Sequence, residues 1–304
     1  MPGERYDLTG KTVFITGAAR GIGAECARRT AAKGAKVALV GLEPDELASV
    51  AAECGPDAIW FEADVTDRES IQEAVDATVE RNGGIDVLIS NAGIAGGGPV
   101  RLVPGEAIER IVEINLLGSM RAIRACIPHI VERRGYVLQI ASVAAVVHSP
   151  GMGGYSASKA GVEAYANCLR PEVKHLGVDV GVGYFSWIDT DLVRGADSRR
   201  SYRLLRSKLK GPLATTFPVS DVGDAVVEGI EKRSRWVLVP RWAAAILWLR
   251  PLIYRINEIL GARSMPEFEA IAIDELGELG DGAGRPVGPG GEAATESQRR
   301  RATA

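Results

Sequence analysis

The chain has 304 residues, 46% of them hydrophobic and 25% charged, with a formal net charge of −3. That length holds one large α/β domain or two smaller ones, and the near-neutral charge gives no electrostatic reason to expect nucleic acid as a partner. The four cysteines, Cys26, Cys54, Cys126 and Cys168, follow no CxxC or metal-like spacing. Reduced thiols in a cytoplasmic protein are expected, and no metal site. The opening Met1-Pro-Gly-Glu-Arg-Tyr-Asp7 has no apolar signal core, and no stretch reaches the roughly 18 apolar residues of a membrane span.

The first predicted strand is Lys11-Thr-Val-Phe-Ile-Thr16. It runs into Gly17-Ala-Ala-Arg-Gly-Ile-Gly23 and a helical pattern that lasts to about Lys33. A strand, a glycine turn and a helix form a phosphate-binding corner, because glycines let the backbone approach and a helix N-terminus offers free amides. The spacing is Thr-Gly-x-x-x-Gly-x-Gly, and the same glycines could serve only a tight turn. Gly34–Val40 reads as a second strand, Pro44 opens a helix, and Ala58–Glu62 reads as a third strand. Asp64 and Val65 follow it, then a helix over roughly Asp67 to Arg81. The alternation is that of a parallel sheet covered by helices.

Ile85–Ser90 is the fourth predicted strand, closed by Asn91-Ala92-Gly93, and Gly96–Gly98 is a flexible loop at its C-terminal end. A long helix is expected over roughly Glu106 to Val131. Asn115 lies inside it, and asparagine is a mediocre interior helix residue. Tyr136–Ile140 is a buried strand, followed by Ser142, a Gly/Pro-rich loop and a helix opening near Tyr155. Tyr155 and Lys159 stand one helical turn apart and share a face. A phenol with a reference pKa of about 10 is a poor acid-base group at neutral pH, and a nearby ammonium favours its phenolate. The Ser142 hydroxyl could then point at a substrate oxygen beside the phenol. Taken alone, a Tyr and a Lys at this spacing are also what an amphipathic helix yields by chance. Pro171 removes the helical bond to the Asn167 carbonyl, predicting a kink or an early end.

Val178–Tyr184 is the sixth strand, 199–210 a basic helical stretch, Asp221–Arg233 a helix and Trp236–Val239 the last strand. Pro240–Leu260 is unusually apolar, with aromatic residues and flanking arginines, and Arg250-Pro251 interrupts it. Packing on the core or on a second subunit, roofing an apolar pocket and lying in a membrane interface all remain open for it. From about Gly277 the chain turns Gly/Pro-rich and ends in an arginine run, a composition that predicts a disordered tail.

Together these pieces resemble the short-chain dehydrogenase/reductase family, single-domain branch. The matching motifs are Thr16-Gly17-Ala18-Ala19-Arg20-Gly21-Ile22-Gly23, Asp64-Val65, Asn91-Ala92-Gly93, Asn115, Ser142 and Tyr155-Ser-Ala-Ser-Lys159, over about residues 8 to 240. Six weak motifs in order at family-like separations make a specific signature. The resemblance implies that Tyr155 is the general acid in carbonyl reduction and the general base in alcohol oxidation. Lys159 would lower the Tyr155 pKa and hold the nicotinamide ribose. Ser142 would hydrogen-bond the substrate oxygen, and Asn115 would position a proton-relaying water. The glycine turn and the Asn91–Gly93 turn would hold the dinucleotide, Asp64 and Val65 would border the adenine, and Thr190 would contact the cofactor amide. One landmark is altered: Phe185 and Ser186 stand where the family has Pro-Gly. In the family the basic stretch near 199–210 covers the substrate, which makes a mobile lid one reading and a solvated face the other. The acid that usually ends the second strand is missing at Gly41, and Arg20 precedes Gly21, so NADP(H) is favoured over NAD(H); Glu43 could still take the acid's part.

The expected fold is therefore α/β: a Rossmann-like doubly wound parallel sheet with helices on both faces, plus an apolar C-terminal helical extension. The expected division is a catalytic domain over 1–240, the extension over 241–276 and the tail over 277–304. The expected function is hydride transfer between a nicotinamide cofactor and a carbonyl or secondary alcohol, with a large, apolar substrate such as a lipid, steroid-like or terpenoid compound in view. A catalytically idle nucleotide-sensing protein and an interaction role through the apolar segment are the alternatives. A homo-oligomer, dimer or tetramer, is expected, with peripheral membrane contact held open.

Overall fold

The structure is a computed structural model that describes residues 5–280 and 285–303. The first four residues, and the parts of the expected tail at 281–284 and 304, lie outside the described residues. Seven parallel strands form one sheet in the order β3-β2-β1-β4-β5-β6-β7. They are β1 (Thr12–Thr16), β2 (Lys36–Gly41), β3 (Ile59–Glu62), β4 (Val87–Ser90), β5 (Tyr136–Ile140), β6 (Asp179–Phe185) and β7 (Trp236–Val239). Every predicted strand lies within two residues of its observed bounds. β1, β4 and β5 are buried along their whole length, as continuous apolar runs in a two-sided sheet should be.

Helices cover both faces. On one side α1 (Gly21–Ala31), α2 (Pro44–Cys54) and α9 (Val219–Glu231) bury Cys26, Leu47 and Val222 against the sheet. On the other, α3 (Arg68–Asn82), α5 (Ser119–Glu132) and α6 (Gly153–Lys174) bury Ile71, Ile123 and Val162. The strand order reverses at β1, which pairs with β2 on one side and β4 on the other. In such sheets the crevice beyond the carboxyl ends of these strands binds ligands.

The helix expected over 106–131 is continuous but not regular. It consists of α4 (Gly105–Val112), a π-helical turn over Glu113–Gly118, and α5. Asn115 sits in the π turn. α6 carries Pro171 and still runs to Lys174, so the proline brings only an end within the next turn. The Gly96–Gly98 loop is fixed at one point, where the Gly98 amide donates to the Gly151 carbonyl at 2.8 Å.

Beyond β6 come α7 (Asp191–Ser198) and α8 (Arg200–Ser207), and beyond β7 come α10 (Ala243–Trp248) and the 30-residue α11 (Arg250–Leu279). α11 packs on α8. The buried carboxylate of Glu275 accepts from the backbone amides of Arg200 and Ser201 and from the Ser201 hydroxyl, capping the start of α8. Phe268 fills the space over Gly151, where an added Cβ would stand 2.4 Å from the ring, and Arg250 pairs with buried Glu163. The remaining surface of α10 and α11 is open, with Trp248 76% exposed and Leu249, Leu252, Ile259 and Leu260 exposed beside it. No helix among the described residues is long and apolar enough to cross a membrane.

Where the composition predicts a disordered tail, the described residues form α12 (Pro289–Thr303). Pro289 at its start and Glu292 in its first turn are helix-initiating choices. Ala294 is 3% exposed and belongs to the main core, so burial on the domain overrides the disorder that composition suggests.

Candidate active site

The glycine turn packs too closely for side chains. Gly17 and Gly21 have φ of +65° and +56°, and a Cβ on Gly23 would lie 2.2 Å from the Gly17 carbonyl oxygen. Asn91 locks this turn to β4. Its Nδ2 donates to the Thr16 and Gly17 carbonyls, and the Asn91 and Ala92 amides donate to Thr16 Oγ1, all at 3.0–3.1 Å. Thr190 stands beside the turn, with its Cγ2 3.4 Å from where a Gly21 Cβ would be. This closely packed corner at the start of α1, with no room for a Cβ at Gly17 or Gly23, fits the pyrophosphate of a dinucleotide. Gly17, Ala19, Arg20, Gly21 and Ile22 line one continuous cleft with Asp64, Val65, Asn91–Gly93, Ser142, Tyr155, Lys159 and Thr190.

Two of the expected cofactor residues are engaged within the chain. Arg20 Nε donates to Glu43 Oε1 and Oε2 at 2.9 and 3.1 Å, and its guanidinium also lies 3.2 Å from Glu46 and 3.4 Å from Asp191. Asp64 Oδ1 accepts from the amide and hydroxyl of Thr66, each at 2.8 Å, and Oδ2 accepts from Ser297 Oγ at 2.5 Å. Burial of the carboxyl opposes its ionisation, but these hydrogen bonds and the nearby Arg110 hold its pKa below the usual carboxylate value.

Ser142 follows the end of β5, and Tyr155 and Lys159 lie in the first turns of α6. Lys159 is 5% exposed and donates from Nζ to the Ile140 carbonyl at 2.8 Å, while Nζ stands 5.8 Å from the Tyr155 ring centre. Burial draws Lys159 down to about 8. Burial also pushes the Tyr155 phenol up, with a hydrogen bond involving Ser142 pulling the other way. The net shift is upward, opposite to the sequence expectation, because burial of the phenol outweighs the Ser142 hydrogen bond. Ser142 Oγ itself donates to the Phe185 carbonyl at 3.3 Å, which ties the altered landmark to the site. Trp187, next in line, is covered by the Arg206 guanidinium at 4.9 Å.

Asn115 is brought to this site but its side chain is fully used. It donates to the Ile94 carbonyl and to Ser158 Oγ, both at 3.0 Å, and accepts from the Ile94 amide at 2.8 Å. A Cβ on Gly93 would lie 3.1 Å from its Oδ1 and 3.5 Å from Lys159 Nζ, so the glycine leaves room for both side chains.

Sequence reasoning missed the far wall. Val287, Gly288, Gly290, Gly291, Ala293 and Ala294 line the same cleft, and Val287 forms with Ala95 and Ala196 a small apolar cluster against which Leu192 and Tyr155 pack. The only signal for them is the helix-start pattern at Pro289 and Glu292.

Residues 11–201 match the short chain dehydrogenase family model. The chain is 29% identical to 11-beta-hydroxysteroid dehydrogenase A of Sesamum indicum over 80% of its own length and 72% of the relative's. A short-chain dehydrogenase/reductase from Burkholderia phymatum, solved in complex with NAD, superposes with a TM-score of 0.71 at 24% identity, covering 83% of this chain and 96% of the other. The 3-ketoacyl-(acyl-carrier-protein) reductase of Brucella melitensis, solved with NADH, gives 0.68 at 27% identity over 76% and 97%. With the glycine turn, the switch-point cleft and the Ser142, Tyr155 and Lys159 cluster all in place, the chain belongs to the short chain dehydrogenase family and is a nicotinamide-dependent oxidoreductase acting on CH–OH groups.

Proposed function

We propose that the protein interconverts a large apolar ketone and its secondary alcohol, using NAD(H). The observation that carries the reading is the convergence of Ser142, Tyr155 and Lys159 under a mouth walled by Ile94, Phe185, Ile188, Leu192, Val193 and Val287. Beside the polar Ser142, Tyr155, Lys159, Ser186, Thr190 and Asp191, these apolar side chains line the cleft, and each one that a substrate covers contributes about 1.5–3 kcal/mol. The hydroxysteroid relative points the same way.

The bound nicotinamide supplies or accepts the hydride. In reduction, Tyr155 Oη gives its proton to the substrate oxygen, and in oxidation it takes one. Ser142 Oγ holds that oxygen as charge develops on it. Lys159, whose ammonium donates to the Ile140 carbonyl, would hold the nicotinamide ribose with its remaining donors and favour the phenolate. The Asn115 side chain keeps the loop after β4 in place, and a relay water would have to be held by other groups. This intact set argues against a catalytically idle nucleotide sensor.

The sequence favours NADP(H) through Arg20, but the arrangement of charges supports NAD(H). Glu43, Glu46 and Asp191 all lie against the Arg20 guanidinium, and Arg194 shares Asp191, so three carboxylates face two guanidiniums and Arg20 is already engaged rather than open to a 2′-phosphate. We read the exposed apolar side of α10 and α11 as a contact surface for a second copy of the chain or for a membrane, with a cytoplasmic location.

A turnover screen with NADH and NADPH against steroid-like, terpenoid and short-chain ketones tests the reading, with Tyr155→Phe as the control. Preferential turnover of the bulky apolar ketones supports it, and preference for small polar ones overturns it. Sedimentation with and without liposomes separates self-association from lipid contact.

A further inference from the structure

Residues 285–303 run along the whole cofactor cleft. At the substrate end the Val287 amide donates to the Ala95 carbonyl at 2.9 Å, and Val287 forms with Ala95 and Ala196 the apolar cluster against which Tyr155 packs. In the middle, Gly288, Gly290 and Gly291 bring bare backbone to the cleft wall, and Arg110 donates to the Ala294 carbonyl at 3.1 Å. At the adenine end Ser297 Oγ holds Asp64 Oδ2, while Arg301 donates to Thr66 Oγ1 at 2.8 Å and lies 3.6 Å from Asp67. The contacts are spread along the segment, from the apolar cluster beside the catalytic tyrosine to the carboxylate expected at the adenine.

Resting on the nicotinamide reading above, we propose that this C-terminal segment is an autoinhibitory strap whose Ser297–Asp64 latch competes with the adenine of the dinucleotide. Asp64 Oδ1 is taken by Thr66, so Oδ2 is the oxygen left for an incoming amino donor, and in the closed strap Ser297 occupies it. Cofactor entry therefore requires the latch to open. The apparent Kd equals the intrinsic one divided by the open fraction, so a strap closed nine-tenths of the time weakens binding about tenfold. Arg301, outside the cleft and paired with Thr66 and Asp67, stabilises the closed form without any part in binding the adenine.

Titration of the full chain with NADH, AMP and nicotinamide mononucleotide, each on wild type, Ser297→Ala and Arg301→Ala, tests this. The expected result is that both variants bind NADH and AMP several-fold to about tenfold more tightly, with a faster association rate for NADH and unchanged affinity for nicotinamide mononucleotide. Unchanged or weaker AMP binding in both variants overturns the latch, since it would make the strap neutral to the adenine or a ligand of it. Failure of wild type and variants alike to bind NADH or NADPH would overturn the nicotinamide reading itself, and the latch with it.

Discussion

Arg20 Nε donates to both carboxylate oxygens of Glu43, at 2.9 and 3.1 Å, so the basic residue that would greet a 2′-phosphate is already held by an acid. Both residues line the cofactor cleft. Glu43→Gln keeps the size of the side chain, removes one of three negative charges and leaves the Arg20 guanidinium held only by Glu46 and Asp191. The ratio of kcat/KM with NADPH to that with NADH should rise at least tenfold, about 1.4 kcal/mol of relative binding. An unchanged ratio would remove Glu43 from cofactor choice.

Tyr155→Phe keeps the ring that packs against the Ala95, Ala196 and Val287 cluster and deletes the exchangeable proton. General acid-base catalysis contributes typically about 10²- to 10⁴-fold, and kcat should fall by that order in both directions. The Kd for NADH should stay within about twofold, since the hydroxyl's loss removes at most one modest hydrogen bond. Retention of most of the activity would move the proton transfer to another group.

Burial sets Lys159 at about 8, below the ordinary lysine value. The charged form is the one that serves the ribose and the phenolate, so it is complete well below pH 8 and disappears as pH rises through that value. NADH affinity of the free enzyme should fall across pH 7 to 9 in wild type. Lys159→Met should bind weakly at every pH and lose this dependence. Isothermal titration at several pH values decides the point; a flat wild-type profile contradicts it.

Asn115→Ala strips partners from the Ile94 amide, the Ile94 carbonyl and Ser158 in a position that is 1% exposed. Leaving buried polar groups unpaired costs about 1–3 kcal/mol each. The variant should unfold at a Tm lower by several degrees, with cofactor affinity reduced as the loop after β4 loosens. Asn115→Ala with a wild-type Tm and lowered kcat would instead assign the side chain directly to catalysis.

The sheet was legible because each strand is an apolar run bounded by glycine or polar turns, and burial on both faces requires such runs. The cluster of Ser142, Tyr155 and Lys159 was legible because chain order follows the strand-helix alternation, so a strand end and the next helix start must meet. Other parts were not. The π turn around Asn115 has no periodicity signal, since one extra residue in a turn leaves the apolar pattern on α4 and α5 intact. The engagement of Arg20 by Glu43 depends on side-chain direction across two different loops. The strap was hidden because its composition, rich in Gly, Pro and Arg, reads as unable to bury a core, yet small residues such as Ala294 let its backbone come close to the cleft.

The cap that Glu275 places on the start of α8 links two surfaces that lie apart in sequence. α8 abuts α7, whose Leu192 and Val193 form one side of the substrate mouth, and Glu275 sits on the same long helix as exposed Leu252 and Leu260. α11 thus joins the exposed apolar side chains to the packing beside the cleft, through Phe268 over Gly151 and Glu275 at the start of α8. A surface covering the exposed side chains of α11 would therefore rest on the same helix whose carboxylate caps α8, next to the α7 wall of the cleft.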